Sequence, residues 1–104
     1  MYNQFASSYD QQLNVVFNTF KAEGIDDLII DLRYNPGGSV RTSSYLGSMV
    51  TGQFAEEVYS KQVWNTKVTN ALSADEFIDI FPTRITKTDG NSSVVVDEAI
   101  NSLN

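Results

Sequence analysis

The run Leu28-Ile29-Ile30-Asp31-Leu32-Arg33-Tyr34-Asn35-Pro36-Gly37-Gly38 constrains this chain more than any other segment. A short apolar stretch ends in Asp-x-Arg, turns through Asn-Pro and opens two adjacent glycines just ahead of a helix-like segment. The pattern reads as a strand that delivers bare backbone N–H groups to the mouth of a helix. Such groups can hold a negative oxygen, whether on a bound anion or one that develops during a reaction. Strand–Gly–helix turns also serve merely to change the direction of a chain. Both readings stand at this level.

Composition removes several classes. A chain of 104 residues is one small domain by length, with room for a modest core. Thirteen acids against seven bases give a net charge of −6, which argues against nucleic acid as a partner. Such a partner requires a basic face that displaces counterions from phosphate. There is no cysteine, hence no disulfide and no thiolate metal site. No apolar stretch reaches the length of a membrane span, and the first residues lack the pattern of a targeting signal.

The absence of histidine is the sharpest exclusion. Neither a Ser–His–Asp nor a Cys–His arrangement can be built from this chain, and no cofactor or metal is implied. Acid–base work would fall to carboxylates, tyrosines and Lys21, Lys61, Lys67 or Lys87. The neighbouring acids Asp26-Asp27 and Glu56-Glu57 point apart in regular structure and read as solvated surface.

Along the chain, Met1–Phe5 reads as the tail of a strand. Ser7 with Asp10, or Ser8 with Gln11, can cap a following helix. Leu13, Val16, Phe17 and Phe20 form one apolar helical stripe, closed by Gly24. Ile25–Leu32 reads as a strand buried on both faces, which makes strand–helix–strand a βαβ unit. A second helix is expected over Ser39–Thr51, with Leu46, Met49 and Val50 inward and Gly52 at its end.

The pattern then changes. Glu57–Thr69 alternates as a strand, with Trp64 as a packing anchor. Ser73 and Glu76 form a capping box for a short helix through Phe77, Ile78 and Phe81, stopped by Pro82. Thr83–Thr88 and Ser93–Asp97 flank Asp89-Gly90-Asn91, a hairpin signal, and Glu98–Asn104 reads as a short turn or helix. Asn91-Ser92-Ser93 fits the glycan acceptor pattern, a triplet common by chance.

The block from Leu28 to Gly38 resembles the signature of the tail-specific, or carboxy-terminal processing, serine proteases. The order of elements agrees with that family: strand Tyr2–Phe5, helix Leu13–Phe20, Gly24, then the Asp-Leu-Arg-x-Asn-Pro-Gly-Gly turn. The resemblance covers about residues 1–52, and residues 53–104 are compatible with a variable insert. It implies an α/β fold with a Clp protease/crotonase-like core of βαβ crossover units and a hairpin-containing insert, as a single partial domain. It also implies peptide-bond hydrolysis by a serine nucleophile and a lysine base on protein or peptide C-terminal tails. An exported compartment, the bacterial cell envelope, is implied for the parent protein. A backbone N–H of Gly37 or Gly38 would then belong to the oxyanion hole. Asp31, Arg33, Asn35 and Pro36 would support the turn.

The family's Ser-Ala-x-Glu-like nucleophile turn and the lysine beyond it have no counterpart here, nor does a PDZ-like domain. The chain is therefore expected to be a piece of such a protease, inactive alone and prone to pair with a second copy through an unpaired strand edge. The alternative is a non-catalytic binding or assembly module on the same fold. A phosphate- or nucleotide-binding loop is a third class, but Val40-Arg41 stands where Gly-Lys-Ser/Thr is required.

Overall fold

The computed structural model of the chain describes residues 1–91 and 93–104; Ser92, in the middle of the acceptor triplet, lies outside the described residues. The chain forms helix α1 (Asp10–Glu23) after a short 3-10 turn at Ser7–Tyr9, then helix α2 (Val40–Val50). Strand β1 (Val58–Lys61), helix α3 (Thr66–Ala71), strand β2 (Ile78–Ile80), strand β3 (Arg84–Thr88) and strand β4 (Val94–Ala99) follow. This mix of helices and strands agrees with the α/β class.

Helix α1 forms where its apolar stripe predicts, and Gly24 ends it at φ 65° with its N–H returned to the Phe20 and Lys21 carbonyls. Its start differs from expectation, because neither Ser7 nor Ser8 caps it and Tyr9 stands at the N-cap without a side-chain bond. Helix α2 forms within the expected span, and Ser39 caps it from outside: its Oγ accepts from the Thr42 N–H at 3.2 Å. The two helices pack together, and the β3–β4 hairpin closes over them. Phe17, Tyr45, Leu46, Met49 and Ile85 form the buried centre.

The hairpin turn is built by Asp89, whose carboxylate accepts from the N–H groups of Asn91 and Ser93. The strands pair antiparallel from Arg84↔Ala99 to Thr88↔Val94, with a register shift beside Thr88. Strands β1 and β2 form a second antiparallel pair. This pair lies on α2 at Gly47, where a Cβ would sit 2.8 Å from the Tyr59 ring.

Six sequence expectations fail, each for a traceable reason. Residues 25–32 are not a strand, and Ile29 is 92% exposed. A parallel strand requires neighbours on both sides, yet the cross-chain backbone bond to this stretch is a single one, Tyr2 N–H to the Asp31 carbonyl at 2.8 Å. Met1–Phe5 likewise is no strand; it runs beside residues 31–39 and makes one isolated parallel bridge, Phe5↔Gly38. The alternation in Glu57–Thr69 ends early, because Asn65 Oδ1 accepts from the Val68 N–H and starts α3. Trp64 anchors nothing: it is 53% exposed and donates to its near neighbour Gln62. The Ser73–Glu76 capping box is present but opens only a 3-10 turn, after which Ile78 enters β2.

The last residues are the sixth correction. Instead of a loose turn or helix, the chain continues as β4 to Ala99 and then packs back on the helices. Asn14, 4% exposed on α1, donates to the Ala99 carbonyl and to Glu98. It also accepts from the Asn101 N–H at 2.7 Å, and its own carbonyl takes the Asn101 side-chain amide. Leu103 N–H reaches the Met49 carbonyl. One buried amide therefore ties the first helix to the last strand. Asn14→Ala is expected to lower stability by about 2–3 kcal/mol. Urea unfolding would read the loss, and amide exchange would show Asn101 unprotected.

Candidate functional site

Within the motif, Asp31 and Arg33 close on each other. Two residues apart, they meet where the chain enters the turn. Arg33 donates from Nη2 to Asp31 Oδ2 at 2.6 Å, from Nε at 3.1 Å and from its backbone N–H to Oδ1 at 3.0 Å. The Arg33 side chain, and then its N–H, hold the Asp31 carboxyl below the usual carboxylate range, and the Arg33 guanidinium is raised in return. Both groups are open to solvent, so the pair contributes little to stability and serves to stiffen the approach to the turn. Tyr34 follows in the left-handed region, at φ 62°.

Asn35 is the suture of the turn. Its Oδ1 accepts from the Gly37 N–H at 2.8 Å, while its Nδ2 donates to the Tyr2 carbonyl at 3.0 Å. Pro36 between them fixes one backbone angle and brings no N–H of its own. Gly37 and Gly38 take φ values of 102° and 140°, in the region that disfavours side chains.

The two glycines differ in what they do. Phe5 N–H donates to the Gly37 carbonyl at 3.0 Å and Ser39 N–H donates to the Phe5 carbonyl at 2.8 Å. In that parallel pattern the residue between, Gly38, turns its own N–H to the opposite side. The Gly37 amide is consumed by Asn35, and the Gly38 amide has no partner among the described residues. Gly38 also carries the close approach: a Cβ there would lie 2.2 Å from the Phe5 carbonyl oxygen, whereas none is crowded at Gly37. Of the glycine pair, Gly38 is therefore the residue with an outward donor, set at the entrance to α2 and able to face an electronegative oxygen.

Residues that the sequence reading passed over lie beside this turn. Asp10 is 2% exposed, and its Oδ1 lacks a hydrogen bond, as do the buried Thr42 Oγ1 and Tyr2 Oη. Burial raises the Asp10 pKa, opposed by the neighbouring Thr42 hydroxyl and by the charges of Lys87 and Arg41. Burial also raises Tyr2, with the charge of Asp10 adding to it. Asp10, Ser39, Arg41 and Lys87 line one pocket of about 310 Å³. A signal for Asp10 was present: Asp10, Asn14 and Phe17 follow helical spacing, so the buried face of α1 carries two polar residues.

The serine hydroxyls of α2 are turned to the backbone or covered. Ser43 and Ser44 hydroxyls donate to the carbonyls one turn back, and the Ser48 hydroxyl is buried. Lys87 donates to the Ser7 carbonyl rather than to a hydroxyl. No cluster of three acidic residues suited to a metal ion occurs among the described residues, where no helix is long and apolar enough to cross a membrane.

Two substitutions separate the glycine roles. Gly38→Ala combines a forbidden φ with a backbone clash and is expected to lose about 3 kcal/mol or more. Gly37→Ala meets open space and is expected to lose about 1–2 kcal/mol. Urea midpoints of the two variants check the order. Asp10 gives a prediction in pH. Because its folded pKa is raised, folding favours the protonated form. That contribution is whole below the unfolded pKa and lost as pH rises through the folded one. Asp10→Asn is thus expected to raise the melting temperature at neutral pH and to change it little near pH ~3. A gain that grows toward acid would contradict the assignment.

Neither a curated protein nor a solved structure gives a match to this chain. The family model of peptidase family S41 matches residues 1–102, nearly the whole length and including the motif, the turn and both helices. The chain belongs to peptidase family S41, a family of serine peptidases.

Proposed function

We infer that this chain supplies the oxyanion-binding turn of a carboxy-terminal processing serine endopeptidase, with Gly38 as the backbone donor. The observation that carries the reading is the asymmetry of the glycine pair: one amide is spent on Asn35 and the other is turned outward. A donor held rigidly before the reaction stabilises the tetrahedral oxyanion without reorganisation, and losing one such donor costs on the order of 3 kcal/mol in the transition state. Asp31, Arg33, Asn35 and Pro36 act on the stiffness and direction of the turn and move no proton.

The chain on its own hydrolyses no peptide in this reading. Its Ser43 and Ser44 hydroxyls and Lys87 donate to backbone carbonyls, and the Ser48 hydroxyl is buried. The Clp protease/crotonase-like core, the preference for C-terminal tails and an exported working compartment belong to the same proposal.

The test is a titration of the ¹⁵N-labelled chain with an unstructured peptide. The Gly38 amide resonance is expected to move while that of Gly37 stays. Movement of Gly37 with Gly38 unchanged would overturn the assignment. Incubation of the pure chain with an unfolded polypeptide is expected to leave it intact; turnover blocked by a serine-directed inhibitor would refute the second part.

A further inference from the structure

We propose that the pocket beside the turn, between Arg41 on α2 and Lys87 on β3, is a carboxylate-binding subsite for peptide. The inference rests on the peptidase reading only in taking a peptide as the ligand.

Arg41 is the built element. Its Nε donates to Tyr45 Oη at 2.7 Å and its Nη2 donates to Thr86 Oγ1 at 2.6 Å. Its guanidinium carbon also lies 5.7 Å from the centre of the buried Tyr45 ring. A guanidinium has five N–H donors, and these bonds use two of them. The remaining donors include one from each terminal nitrogen, the pair that matches a carboxylate in a two-pronged bond. The side chain is held in place before any ligand arrives, which removes most of the ordering cost that an arginine normally pays.

The surrounding charges favour an anion. Although acids outnumber bases thirteen to seven in the chain, neither Arg41 nor Lys87 forms an ion pair among the described residues. Asp10 is the opposing charge, at the wall of the same pocket. It is buried, and one carboxylate against the two cations Arg41 and Lys87 leaves the pocket net positive. Lys87 is anchored to the Ser7 carbonyl and keeps two further donors. Ser39, which caps α2 directly after Gly38, also lines the pocket, so a peptide whose carbonyl meets the Gly38 amide lies alongside it.

Carboxylate can come from a chain terminus or from an acidic side chain. Binding to the 104-residue chain would be measured by amide shifts for four acetylated peptides. These are a peptide ending in the free acid, the same peptide as its C-terminal amide, and two amidated peptides with internal Glu or Gln. Tighter binding of the free acid than of its amide assigns the terminus; tighter binding of the Glu than of the Gln peptide assigns the side chain. Either preference is expected to fall about tenfold in Arg41→Lys, which keeps the charge but loses the fork, and in Lys87→Gln. Far-UV dichroism would verify that both variants fold. Equal binding of acid and amide forms in both pairs overturns the proposal, as does a preference that survives both substitutions. Because Gly38 is read separately, a Gly38 shift common to all four peptides with equal affinities within both pairs would reject the subsite and keep the oxyanion reading.

Discussion

The stitch between Phe5 and the Gly37–Ser39 backbone is the constraint on which the site depends. Two hydrogen bonds bring the N-terminal segment against the turn, and they are possible only because residue 38 has no Cβ. The same stitch decides which way the amides face. With Gly37 C=O and Ser39 N–H both directed at Phe5, the Gly38 N–H is left on the open side. A glycine that looks like an accommodation for substrate thus has a first reason inside the fold, the approach of another part of the same backbone. The outward donor is a consequence of that packing.

Behind the turn the structure accepts a local cost. Asp10, Thr42 and Tyr2 bring three polar atoms into cover without hydrogen bonds of good geometry. Buried groups of this kind are expensive when unmatched. They lie where the starts of α1 and α2 and the N-terminal segment converge, next to the pocket that holds Arg41 and Lys87. Asn14 on the same face of α1 shows the opposite solution, with each of its polar groups matched by residues from the far end of the chain. Two neighbouring polar positions on one helix therefore do different work: one fastens the fold, the other sets the electrostatics beside the turn.

Legibility in the sequence followed the range of the interactions. The α1 stripe and its glycine stop, the helix α2 and the hairpin at Asp89-Gly90-Asn91 were readable because each rests on residues a few positions apart. The motif residues were readable as a group, and their local bonds, Arg33 to Asp31 and Gly37 to Asn35, span two residues each. Ile25–Leu32 misled because its apolar content matches a buried strand, while strand formation depends on partners that local composition does not specify. Trp64 misled in the same manner: its size predicts burial, and its neighbours leave it half open.

By itself, the sequence determined the helices α1 and α2, the β3–β4 hairpin, the glycine turn and the exclusion of histidine-based chemistry, since these depend on residue type and short spacing. The tertiary structure alone decided that Gly37 and Gly38 are not equivalent, because the difference is made by Phe5 and Asn35 acting from two sides. It alone brought Arg41 to Thr86 and Asn14 to Asn101, across separations of 45 and 87 positions. Contacts of that range are fixed by how the elements close on a shared core, and closure is a property of the whole chain.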